Sequence, residues 1–138
     1  MKKQVLNIIL ATGFIFMAAF QIKAQSLVVN EQLVGRWELC TPDGKLVTTP
    51  NVRQKVYTKN SYVVLEVDKN NNTCFVDFIG TITAEGEDKI NEQVIYPNAQ
   101  IKYMLSKSFK FFYKIEGDYL YLKGMDNTFN EIWVRISE

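Results

Sequence analysis

No histidine occurs in the 138 residues. That absence removes the Ser-His and Cys-His nucleophile systems and the commonest transition-metal ligand together. The groups left for chemistry are two thiols, Cys40 and Cys74, and a set of carboxylates. The thiols stand in no redox or metal-ligand spacing. In an oxidising compartment they could join as a Cys40–Cys74 disulfide, of order a few kcal/mol if geometry permits. The alternative is two free thiols packed as small apolar residues. Glu85, Glu87 and Asp88 crowd one polar stretch, which reads as a solvated turn before it reads as a glycosidase pair or a calcium loop. Asp77 interrupts an apolar run between Val76 and Phe78; it is either an outward strand residue or an inward polar anchor. No nucleophile, base and orienting group stand in a recognisable arrangement. Neither an enzyme nor a bound cofactor or metal is expected.

The first two dozen residues read as a targeting segment. Lys2 and Lys3 form a basic start, Val5 to Phe20 is a nearly unbroken apolar run, and Ala24 offers a small residue for cleavage. The run is somewhat short to span a bilayer. Residues 1–24 are therefore expected to be a signal peptide and 25–138 one exported domain, periplasmic or secreted, with no stable membrane insertion after cleavage. Losing Lys2, Lys3 and Lys23 takes the formal charge from +1 to −2. No basic block remains, which argues against nucleic acid as a partner.

These groups must be positioned mostly by strands. Asn30-Glu31-Gln32-Leu33-Val34 suits one short helical turn, with an N-cap residue at its start and Gly35 at its end. Strands are predicted over Arg36 to Thr41, Gln54 to Tyr57, Tyr62 to Val67, Thr73 to Ala84, Lys89 to Tyr96, Ser108 to Ile115, Tyr119 to Lys123 and Asn130 to Ile136, with a short piece over Lys45 to Thr48. Pro42-Asp43-Gly44, Asp68 to Asn72, Glu85 to Asp88, Glu116-Gly117-Asp118 and Gly124 to Thr128 supply turns. Gly80 marks a bend or bulge within its strand. Pro97 to Lys107 is a rim loop or a short helix with apolar side chains. Eight or nine short strands at this spacing predict an all-β antiparallel meander, sandwich or barrel.

In a barrel, alternate residues face inward. With Trp37 inside, the interior set includes Leu39, Phe109, Phe111 and Tyr113, with either Tyr119 and Tyr121 or Leu120 and Leu122. Glu131, Trp133 and Arg135 share one face of the last strand. An interior of aromatics with a few polar fixings is the usual character of a small-molecule site, and Leu39, Phe109, Phe111, Tyr113, Tyr121 and Trp133 are its candidate lining. The same aromatics could instead simply fill the barrel. That reading leaves Tyr103, Met104 and Leu105 as an apolar docking patch for a protein partner. Gly35, Trp37 and Arg135 are the candidate closure: Trp37 plugs the bottom, and Arg135 on a neighbouring strand lays its guanidinium over the indole.

Leu33-Val34-Gly35-Arg36-Trp37, Gly80-Thr81-Ile82-Thr83, Tyr113-x-Ile115-Glu116-Gly117-Asp118-x-Leu120 and Glu131-Ile132-Trp133-x-Arg135-Ile136 resemble, in order and position, the calycin superfamily of lipocalins and fatty-acid-binding proteins. They look most like small exported lipocalin-like domains of unknown function from Bacteroidota. The resemblance implies an up-and-down β-barrel with a small apolar or amphipathic ligand, no defined activity, and a structural role for Gly35, Trp37 and Arg135. The chain is shorter than a typical lipocalin and lacks an obvious C-terminal helix.

Overall fold

Asn30 caps a single 3-10 turn, Glu31–Leu33, its side chain accepting from the Gln32 N–H at 2.9 Å. The computed structural model describes residues 28–137, so the expected signal peptide lies outside the described residues. Gly35 leaves the turn at φ +142°, a conformation costly for any residue with a Cβ. It opens the first of eight strands: β1 (Gly35–Leu39), β2 (Asn51–Tyr57), β3 (Ser61–Asp68), β4 (Thr73–Ala84), β5 (Lys89–Pro97), β6 (Ser108–Glu116), β7 (Tyr119–Gly124) and β8 (Asn130–Arg135).

Each strand pairs antiparallel with the next, and β8 returns to β1 through Trp37↔Arg135 and Leu39↔Trp133. The protein is therefore a closed, all-antiparallel, up-and-down β-barrel. Closure leaves none of the eight strands as an exposed edge. The Lys45 to Thr48 piece reduces to one isolated bridge, Cys40↔Leu46. Pro97 to Lys107 carries a distorted 3-10 segment, Ala99–Met104, capped by Asn98.

Two irregularities shape β4. The β3 register slips between Val64 and Leu65, leaving Asp77 as the extra residue between Val76 and Phe78. The β5 register slips between Ile79 and Gly80. A Cβ on Gly80 would sit 2.2 Å from the Gln93 carbonyl oxygen and 2.5 Å from the Tyr62 ring. Only glycine fits that crossing.

The inward rows follow from register. Trp37, Tyr57, Tyr62, Val64, Ile82, Ile90, Phe111, Leu120, Leu122 and Trp133 form one buried cluster. Leu39, Phe109 and Tyr113 pack against it half-buried. Leu120 and Leu122 are the inward residues of β7, so Tyr121 points outward and is not part of the interior. The alternation fixed by Ile115↔Leu120 and Tyr113↔Leu122 allows no other phase. Phe112 also faces out, under the Lys89 ammonium at 5.3 Å.

Both thiols are free: Cys40 is buried and Cys74 exposed. Cys40 follows β1 and Cys74 lies in β4, three inter-strand spacings away. At about 4.8 Å per spacing that is about 14 Å, well beyond disulfide reach.

Candidate functional site

At the closed end the plug and its latch are built from three short segments. The Trp37 indole N–H donates to the Leu33 carbonyl at 2.9 Å, tying the plug to the 3-10 turn. The Arg135 guanidinium lies over the Trp37 ring at 4.1 Å and donates to the carbonyls of Val34, at 3.1 Å, and Gln32. A Cβ on Gly35 would stand 2.6 Å from Arg135 Nη1. Gly35, Trp37 and Arg135 thus act on one another, and their donors are spent on backbone.

Midway along the barrel lies a charged group that the sequence did not single out. Lys55 and Glu92 are each about 95% or more buried, with Lys55 Nζ 3.1 and 3.2 Å from the two Glu92 oxygens. The Tyr57 hydroxyl donates a hydrogen bond to Glu92. The ammonium also lies 3.8 Å from Glu131 and within 5.8 Å of four ring centroids, the nearest being Trp133 at 4.9 Å. Trp133 in turn donates its indole N–H to Glu131 at 3.0 Å. A buried charge needs this density of partners, since an unpaired one would cost several kcal/mol. Burial first, and the Glu92 charge second, push the Tyr57 phenol well above its ordinary pKa. The same two causes act in the same order on Tyr62, whose buried hydroxyl has no hydrogen-bond partner.

This cluster and the surrounding aromatics occupy the barrel's middle. Phe111 and Trp133 are buried in it, while Leu39, Phe109 and Tyr113 flank it half-buried. Tyr113 donates its hydroxyl to the Glu87 carbonyl at 2.9 Å. The lining expected from the sequence is thus largely core, and Tyr121 is outside it.

Open space lies at the other end, where β3 and β4 outrun the packed interior. A cleft of about 540 Å³ is lined by Glu66, Phe75, Val76 and Asp77 on the strands and by residues 98–100 of the 3-10 segment. Arg53 continues the inward row of β2 into this mouth and spans two carboxylates. Its Nε donates to Glu66 at 3.0 Å, and Nη2 reaches Glu66 at 2.9 Å and Asp77 at 3.0 Å. The β4 bulge aims Asp77 here, and Asn98 secures it by donating its backbone N–H to the Asp77 carbonyl at 2.7 Å. Beside these charges the Phe75 ring is 68% exposed. A second cleft of about 290 Å³ shares Glu66 and Phe75 and adds Asp68.

Lys55 and Glu92 had a readable signal. In β2, Lys55 keeps the phase of Tyr57, and in β5, Glu92 keeps the phase of Ile90 and Val94. Arg53 and Glu66 are direct cross-strand partners of β2 and β3, but Asp77 had no such signal, because its reach to Arg53 depends on the register slip in β4.

No family model matches the chain, and no curated protein sequence matches it.

Proposed function

We propose that the protein is an exported, lipocalin-like, non-catalytic barrel that binds a small amphipathic molecule at its mouth. The observation that carries this reading is the cleft of about 540 Å³, where a widely exposed Phe75 ring adjoins the ion-paired Arg53, Glu66 and Asp77. An apolar wall with a few fixed polar groups suits a ligand of mixed character. The barrel's middle is taken up by Trp133, Phe111, Lys55 and Glu92, so the ligand's place is the rim and not a deep cup. The sequence resemblance to lipocalin-like domains supports the same assignment.

The test is mass spectrometry of the protein isolated from its own host, intact and after solvent extraction. A stoichiometric small molecule, lost when Ala99→Trp fills the cleft, is the expected result. An empty protein would count against the reading.

A second reading is a filled barrel used as a protein-interaction module. Tyr96, Tyr103 and Leu105, exposed at 70%, 71% and 57%, favour it. Photo-crosslinking from position 103 in the native host should then capture one protein reproducibly, and a dispersed background would weigh against it.

A further inference from the structure

Every charged side chain of β2, β3 and β4 belongs to the barrel's inner rows or its mouth. Arg53 and Lys55 share the inward phase of Tyr57, Glu66 and Asp68 share that of Tyr62 and Val64, and Asp77 turns to Arg53 at its bulge. The outer surface of these strands therefore carries no charge. That reverses the usual sheet, whose outward row is the polar one. Over β2 this surface is already covered, since Gln54 is buried and bonded to Arg36 and Glu38. Over β3, β4 and the end of β5 it is open. Register aligns Val63, Ile79 and Tyr96 in one row across three strands, with Leu65 and Val76 paired in the next. Val76, Ile79 and Tyr96 are 45%, 38% and 70% exposed. The opposite wall is charged: Lys110, Lys114, Glu116 and Lys123 point outward from β6 and β7.

We propose that the open wall of β3–β5 is an interface between two copies of this chain, packed sheet against sheet about a two-fold axis. Across such an axis a surface meets itself, so a charge near its centre faces its own copy. The β6–β7 wall would set lysine against lysine. The β3–β5 wall sets Val63, Ile79 and Tyr96 against their like, with Thr81 and Gln93 paired in the row beside them as hydrogen-bonding groups. A membrane-docking surface instead places basic residues beside its apolar ones to meet anionic headgroups. None of the outward side chains of β3 and β4 is basic, which favours a second copy over a lipid surface. Three strands about 4.8 Å apart, with about seven residues each at about 3.3 Å, present about 300 Å² of sheet per copy. That is the size of a weak, reversible association. The proposal goes beyond the reading of the mouth and needs no ligand there.

Sedimentation velocity of the protein isolated from its host, run over a wide range of concentration, tests this. A shift from monomer toward dimer with rising concentration is the expected result. Ile79→Lys and Tyr96→Lys each bring two ammonium groups face to face and should raise the dimer Kd about a hundredfold or more, so that both variants sediment as monomers. Tyr96 is widely exposed, so its variant folds even if Ile79→Lys does not. Phe112→Lys, on the opposite wall, should leave the dimer unchanged. A wild-type protein that is monomeric at every concentration overturns the proposal. A dimer that survives both lysine variants, or that Phe112→Lys dissolves equally, overturns its placement on β3–β5. Flotation with vesicles of phosphatidylcholine and phosphatidylglycerol separates the remaining case. Monomeric wild-type protein that floats with the vesicles, and is released by Ile79→Lys or Tyr96→Lys, would give the wall to a lipid surface and overturn the second copy.

Discussion

Arg135 and Trp37 are register partners across the β8–β1 seam, and the guanidinium of one lies 4.1 Å over the ring of the other. One side chain thereby joins the last strand, the first strand and the 3-10 turn, because it also donates to Val34 and Gln32. Arg135→Ala removes the cation–π contact and leaves two carbonyls without their donor. We expect a loss of about 1–3 kcal/mol, read as a lower Tm with ligand preference unchanged. Arg135→Lys should recover little, since an ammonium cannot stack and fork at once. An unaltered Tm in the alanine variant would show that the seam is held by other contacts.

Lys55 and Glu92 depend on each other more strongly. Lys55→Met leaves a buried carboxylate with the Tyr57 hydroxyl in place of a full counter-charge, at a cost of about 3–5 kcal/mol. The double variant Lys55→Met/Glu92→Leu removes both charges and should regain most of that loss. Urea denaturation of the four proteins gives the coupling. Simple additivity would mean that the two charges do not sense one another.

Alkaline pH should destabilise the barrel through Tyr57 and Tyr62. Both phenols are raised in the folded state, burial being the larger cause, while in the unfolded chain they titrate near 10. Above that pH the unfolded state binds fewer protons than the folded one, so stability falls by about 1.4 kcal/mol per pH unit for each group. Below it the contribution is intact. Ultraviolet difference titration should show these phenols ionising only as the protein unfolds. Their titration in the native state near 10 would refute the burial.

The two thiols should differ sharply in reactivity. Cys74 is exposed, whereas Cys40 is buried with its pKa raised by burial and then by the Glu38 charge. One thiol per native molecule is expected to react with a disulfide reagent at neutral pH, and two after denaturation. Two fast thiols in the native protein would contradict the placement of Cys40.

Much of the barrel was legible because each strand writes its own pattern. Thr73–Ala84 is a single long strand, and one of its two irregularities falls beside Gly80, as its composition suggests. The Gly35, Trp37 and Arg135 constellation was legible because bulky and charged residues at strand ends have few places to go. Whether Tyr121 or Leu122 faces inward was not, since both are apolar enough for either side and the decision belongs to the Tyr113↔Leu122 pairing. The disulfide alternative failed for a related reason: strand order in the closed sheet, not chain spacing, separates Cys40 from Cys74. The mouth was hidden most completely, because a one-residue slip brings Asp77 to Arg53 across 24 positions of chain.

The pairing of β1 with β8 also fixes an order of events. Every other strand pairs with its neighbour in the chain, so those hairpins form from local contacts. The seam joins residues about a hundred positions apart, as the Arg135 to Val34 bond does across 101. Loop-closure entropy makes this the slowest pairing to establish. During synthesis Gly35–Leu39 emerges early and keeps one flank bare until Asn130–Arg135 exists. A chaperone that shields a single unpaired strand through that interval would serve this chain better than one that accelerates hairpins.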